Sequence, residues 1–303
     1  MTYKVTKGAC LGMILALAAM TCYLSASAAA GPAPQQETFA SPWRASRALF
    51  EATQAGDEAK LLALFGPQGK PLISSGDPQQ DQENRQIFVR NYEQVHRLVK
   101  EPDGTVTLFL GPENWPFPIP LVQQNGAWYF DTSAGEQEIL FRRIGKNELS
   151  AIQVCHELVA AEKEHYAGAH PGEAGAYASK FVAENGEPDG LYHPVANGTP
   201  EIGPLLAQAG EARTPFHGYY FRILSKQGKD AAGGAKNYIV DGKMTGGFAF
   251  VAYPAQYRST GVMTFIVNQD GTVYERDLGV NTFRLATAMK AFNPSPEWKK
   301  VEE

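Results

Sequence analysis

Three Asx-Gly dipeptides constrain this chain more than any other feature, because each lies between short apolar runs and so marks a tight antiparallel hairpin. Asp103-Gly104 separates residues 98–100 from 105–110, Asn125-Gly126 separates 120–122 from 128–130, and Asp270-Gly271 separates 262–267 from 272–276. Both residues of each pair tolerate positive φ, so the chain reverses there at little steric cost.

Helical signals precede each group of hairpins. Ser41-Pro42 joins a capping serine to a proline at the first helical position, and Ala45, Ala48, Leu49 and Ala52 recur three or four apart, which predicts a helix to Ala55. Gly56-Asp57 closes it and caps a second helix through Leu61, Leu62 and Phe65. After a Gly-, Pro- and Ser-rich loop over 67–80, a third helix is expected over 82–98, burying Ile87, Val89, Tyr92 and Val95. A short helix over 134–143 would cover the first group of strands. Asn147 then reads as the cap of a helix over 148–166, with Leu149, Ile152, Cys155, Val159 and Tyr166 along one side. Residues 168–216 are rich in glycine and proline, with helical pieces at 174–183 and 204–208. Strand patterns at 217–224, 247–253, 262–267 and 272–276 and a helix over 282–292 complete the chain.

Helices followed by antiparallel strands, twice over, is an α+β order. The expected organisation is two domains, each with helices packed on an antiparallel sheet: a cone-like domain over 41–145, and one over 146–303 built from a spine helix and a C-terminal sheet.

The first thirty residues read as a secretory signal: Lys4 and Lys7 precede an apolar run from Leu11 to Ala19, and Ala28-Ala29-Ala30 supplies a cleavage site after about Ala30. The apolar run is shorter than the roughly 20 residues a membrane helix needs. Residues 31–40 read as a disordered leader. The expected location is periplasmic or secreted, with membrane contact only through the signal before cleavage. Removing the signal leaves 25 basic against 32 acidic residues, a net charge of −7, which speaks against nucleic acid as a partner. It also removes Cys10 and Cys22, so Cys155 stands alone and the core has no internal disulfide to rely on.

No pattern in the chain carries catalysis, and no metal or cofactor is expected. His156-Glu157 and His165 supply metal-ligand types, but nine positions along a helix turn the two rings to opposite sides, so a solvated polar face is the expectation. Cys155 on an apolar stripe reads as a small core residue, and neighbouring His156 diverges from it. Ser74-Ser75-Gly76-Asp77 with Asp81 reads as turn chemistry, and Asn268 with Asp270 as part of a hairpin and not a calcium loop.

Two runs are candidate binding elements. Trp115-Pro116-Phe117-Pro118-Ile119-Pro120 alternates three prolines with apolar residues, which demands an extended edge segment. With Trp128 and Tyr129 it lines a ligand cleft or closes the end of a small core, and Asp131 or His96 would supply a polar group to a cleft. The second run, from Phe216 to Arg222, places His217 beside aromatics, with Tyr219 and Tyr220 on opposite faces of a strand. The candidate binding residues are therefore Trp115, Phe117, Trp128, Asp131, His217, Tyr219 and Tyr220. Arg142-Arg143 borders a helix end.

Taken together, residues 115–122, 151–155, 217–224 and 246–248 through 262–268 resemble the bacterial family known as domain of unknown function 2950. The resemblance covers nearly all of the mature chain. It implies an exported protein without an assigned activity and supplies no catalytic residues. At the level of fold alone, the first half is similar to the nuclear-transport-factor-like cone, and the second to the globular part of pilins and pseudopilins. Arg142, Arg143 and Lys146 before Glu148 depart from a pilin, whose spine continues from an apolar membrane segment. The expected function is a non-enzymatic binding or assembly module whose partner is an envelope protein or a small ligand. The alternative is a small-molecule binder or hydrolase using a cleft in the first domain.

Overall fold

The computed structural model describes residues 36–73, 78–168, 175–184, 187, 189–193, 202–210 and 214–302. The residues read as a signal peptide and Ser74-Ser75-Gly76-Asp77 lie outside these residues. The chain is α+β and divides into two compact units that meet at Thr132 and Ser133.

The first unit opens with α1 (Pro42–Ala55), where the Ser41 side chain accepts from the Arg44 N–H and Gly56 ends the helix at φ 64°. Asp57 caps α2 (Glu58–Phe65) in the same way, through the Lys60 N–H. A short α3 (Lys70–Ile73) and α4 (Pro78–Gln94) follow. Helix α4 ends earlier than expected, because His96 already starts β1 (His96–Lys100), and its buried face also differs. Ile87 and Val95 are exposed, while Asp81 and Tyr92 are buried. The ring of Phe88, one turn before Tyr92, lies 6.0 Å from it and fixes which side of α4 faces inward.

The sheet of this unit runs β1, β2 (Val106–Leu110), β4 (Leu121–Gln124), β5 (Ala127–Phe130), with the two-residue β3 (Trp115–Pro116) also paired to β2. Two-residue turns at Asn125 (φ 51°) and Gly126 (φ 81°) join Gln124 to Ala127 as the dipeptide predicts. Leu49, Leu64, Leu108, Leu121 and Phe130 form the core. Residues 36–40, expected as leader, are fastened to this unit: Phe39 exchanges backbone hydrogen bonds with Trp128 at 2.7 and 2.8 Å, and the Gln36 amide donates to the carbonyls of Leu64 and Phe130.

The second unit is organised by α5 (Thr132–Tyr166), one helix of 35 residues where two had been expected. Gly145 does not interrupt it. A lone glycine costs a helix only about 1 kcal/mol, and tertiary hydrogen bonds anchor the neighbouring residues. The Asn147 amide, read as a cap, instead donates to the Thr260 carbonyl at 2.8 Å. Glu148 accepts the N–H groups of Val262 and Met263 at 2.8 and 3.0 Å, and Arg143 reaches the Ser259 carbonyl at 3.2 Å. The stripe that α5 buries is Ala151, Val154, Cys155, Leu158, Val159, Ala161, Glu162 and His165, whereas Leu149 is 70 % exposed.

Beyond α5 come β6 (Lys180–Val182) and β7 (Gly190–Tyr192), paired in parallel, and α6 (Pro204–Gly210). The helical piece expected over 174–183 does not form in its described residues, where Tyr177 bridges Met244 and β6 follows it. Next are β8 (Tyr219–Leu224), β9 (Lys226–Gln227), β10 (Lys236–Asn237), β11 (Ile239–Val240), β12 (Lys243–Met244), β13 (Ala249–Pro254), β14 (Met263–Asn268) and β15 (Tyr274–Asp277). The chain ends with α7 (Thr282–Ala288), β16 (Ala291–Phe292) and β17 (Lys299–Lys300). The main sheet has the order β17-β15-β14-β13-β8. Every residue of β13 is buried, which is what a central strand covered on both faces requires. Arg222 of β8 serves the fold, donating from Nη1 to the carbonyls of Ala286 and Met289 at the end of α7.

Candidate functional site

The candidate residues of the first unit lie at the edge of its core: Phe117 and Trp128 are partly buried against it, Asp131 is half-buried and Trp115 is exposed. Phe117 stands 6.4 Å from Phe65, 5.8 Å from Phe88 and 6.3 Å from Phe130, centroid to centroid, and its N–H, between two prolines, donates to the Leu108 carbonyl at 2.7 Å. Trp115 leans edge-on against Phe117 and is 44 % exposed. Trp128 is half-buried beside Phe39, and the Asp131 N–H donates to the Pro120 carbonyl. His96 stacks on Tyr92 at 3.8 Å, its Nδ1 2.8 Å from the Tyr92 carbonyl. A hollow of this unit lies elsewhere, between α1 and α4, and none of these residues lines it.

In the second unit the sequence singled out three residues, and the structure separates them. Tyr219 is wholly buried, with its hydroxyl donating to the Met263 carbonyl at 2.9 Å. Tyr220 points to the opposite face and packs against Tyr253 and Phe283. His217 is not in a strand, as expected, but in a two-residue turn. Phe216 and Tyr219 exchange backbone hydrogen bonds at 2.9 and 3.0 Å around His217 (φ 47°) and Gly218 (φ 76°). Asn125-Gly126 and Asp241-Gly242 have nearly the same φ pair, so histidine occupies a position that asparagine or aspartate fills elsewhere in this chain. The glycine after it is the local signal for this turn. Asp241-Gly242 likewise announces the β11–β12 hairpin, which the sequence reading passed over.

His217 and Phe216 form one wall of an open groove of about 600 Å³ whose other wall is α5. Helix positions 142, 146, 149, 150, 153 and 157 line it, a ridge with helical spacing. Its floor is apolar, from Leu149, Val154 and Phe216, with Arg142 and Lys146 at one end and Glu157 at the other. The groove keeps its shape because the turn is clamped to the helix. A Cβ at Gly218 would come within 2.6 Å of the Asn147 amide, and that amide already holds Thr260.

Other polar and reactive groups are committed to structure. His165 is buried, not solvated as expected, its Nδ1 3.1 Å from the Ala176 carbonyl, and Glu162 beside it accepts the Ala178 N–H at 2.8 Å. The chain over 175–178 folds back across the end of α5, a contact that helical spacing cannot reveal. Among the described residues, no group of three His, Cys, Asp or Glu side chains is placed to hold a metal ion. Burial pushes the Cys155 thiol up to about 12, so thiol reagents are expected to leave it unmodified in the folded chain and to label it stoichiometrically in denaturant. Labelling of the native protein within minutes, read by mass spectrometry, would contradict its 0 % exposure.

Glu275 has a proton affinity raised first by burial and second by the Glu148 carboxylate, against the lowering effect of Lys299. The folded state therefore binds this proton more tightly than the unfolded state, so the penalty for ionising Glu275 is present at neutral pH and fades as pH falls through its raised value. Glu275→Gln is expected to stabilise the protein at neutral pH and to lose that advantage in acid. Equal gains from urea melts at both pH values would refute the assignment.

Two α+β units, each with helices laid on an antiparallel sheet, and an apolar groove beside a clamped turn define the class of protein this is. The model of the family described as "Protein of unknown function (DUF2950)" matches residues 36–301, and the chain belongs to that family. No curated protein and no solved structure matches it significantly.

Proposed function

We propose that this chain is an exported, non-enzymatic binding module whose second unit docks a short peptide segment of an envelope protein in the groove between α5 and the Phe216-His217 turn. The observation that carries this reading is the groove itself: an apolar floor on a rigid helix, faced by a histidine held at positive φ. Strain of that kind costs of order 1 kcal/mol and concentrates at binding sites. Lys146 at one end, beside an Arg142 whose Nε is already paired with Glu138 at 2.7 Å, fits an acidic residue next to an apolar anchor in the partner. The basic, small-residue-rich N-terminus agrees with export. N-terminal sequencing of the protein from its native host is expected to begin near Gly31, and an intact Met1 would refute export.

A displayed library of random peptides tests the docking site. Peptides enriched on the wild type are expected to pair an aliphatic or aromatic residue with an acid and to lose binding at least about tenfold on Leu149→Glu. Leu149 is 70 % exposed, so that variant retains the fold. His217→Asn is expected to raise stability by about 0.5 kcal/mol, since asparagine prefers this turn position, while weakening the same peptides. Enriched peptides indifferent to both substitutions would refute the site.

A further inference from the structure

We propose that the cleft between α1 and α4 in the first unit is a binding site for a small carboxylate that also carries hydroxyl or amino groups, such as an amino acid or a hydroxy acid. The cleft has a volume of about 430 Å³, within the size range of small-ligand sites, and shares no lining residue with the groove assigned above. Its chemistry is polar and cationic. Arg85 and Arg90 line it against a single carboxylate, Glu93, in a chain whose formal net charge is −5.

Arg85 is the lining group with an unmet hydrogen bond. Its Nη1 is sealed from solvent and has no hydrogen-bond partner among the described residues. A guanidinium nitrogen that has given up water without gaining an acceptor is held at a cost. An entering carboxylate recovers that cost when the side chain turns its planar fork toward it, accepting two parallel N–H bonds. Arg90, elsewhere in the same lining, adds a second positive charge.

The rest of the lining selects what else the ligand bears. Gln54 and Gln86 offer both donors and acceptors. Glu93 accepts from the Gln54 amide at 3.3 Å, a long bond that a ligand donor can replace. Thr53 to Gly56 bring the carbonyl end of α1 to the same wall, and the negative pole of that helix favours an ammonium or hydroxyl donor. No aromatic side chain lines the cleft among the described residues, so it has no stacking platform for a neutral sugar ring.

Calorimetric titration of the full mature chain with glutamate, malate, acetate and inorganic phosphate tests this. Glutamate or malate is expected to bind saturably and more tightly than acetate, and both Arg85→Gln and Arg85→Lys are expected to weaken it at least about tenfold, because lysine keeps the charge but not the fork. Arg90→Gln should weaken binding by less, about threefold. Circular dichroism confirms that each variant is folded, and Arg90→Gln keeps the test open if an Arg85 variant is not. No saturable binding of any carboxylate up to about 10 mM, a range set by the weakest specific affinities, overturns the proposal. So does phosphate binding as tightly as the best carboxylate, or full binding by the folded arginine variants.

Discussion

Replacing Gly261 with alanine is expected to destabilise the protein by about 3 kcal/mol, through overpacking against a side chain that has nowhere to go. The new Cβ would collide with the Tyr219 hydroxyl and come within 2.6 Å of its Cζ. Tyr219 is wholly buried, its hydroxyl is spent on the Met263 carbonyl, and its ring lies 5.9 Å from Phe265, so no rotamer frees the space. Tyr219→Phe alone should cost about 1 kcal/mol, from the carbonyl left without its donor. Combined with Gly261→Ala it should recover part of the loss, since the colliding oxygen is gone, and a double-mutant cycle should show coupling of about 1 kcal/mol or more. Urea unfolding measures all four forms. Strict additivity would mean that residue 261 and Tyr219 do not touch.

Phe117→Ala is the second large effect, expected to cost the first unit about 2 kcal/mol, below the range of fully buried phenylalanine truncations because its ring is only partly buried. Its ring is the point where Phe65, Phe88, Phe130 and Trp115 meet. Truncation leaves a void that helices and strand, tied by backbone hydrogen bonds, cannot close. Trp115→Ala, at 44 % exposure, should cost less than about 1 kcal/mol. Because the chain has two units, the loss should appear in the transition of the first unit, followed by a probe local to it. If Phe117 instead lined a ligand cleft, its removal would leave stability near that of the wild type. Equal costs for the two substitutions would overturn the distinction drawn between them.

The candidate sites were legible to different depths. His217 stood out as a histidine among aromatics, and it does border the groove. Its neighbours there, Leu149 and Gln153, did not stand out, because an exposed leucine on a helix looks the same whether it faces water or a groove. Arg85 carried no signal at all: an arginine on a polar helix becomes a candidate site only when α1 packs beside it. Trp115 and Phe117 form one aromatic run in the sequence, yet Phe117 is partly buried against the core and Trp115 is exposed, a difference made by the packing of Phe88 on α4 against Phe117.

What the sequence determined by itself is what short-range stereochemistry controls. Ser41-Pro42 and Asp57 start helices through side chains within reach of the next turn, and Asn125-Gly126 reverses the chain through the φ values it permits. Cys155 was marked as inert by its place on an apolar stripe. From these, the α+β order follows without a tertiary contact. The tertiary structure alone decided that α5 runs unbroken through Gly145, that His165 lies under residues 175–178, and that His217 turns toward a helix it follows by more than fifty positions. Each of those outcomes is fixed by a partner distant in the chain. Local preferences of about 1 kcal/mol, such as a glycine's reluctance to be helical, yield to several long-range hydrogen bonds and buried contacts acting together.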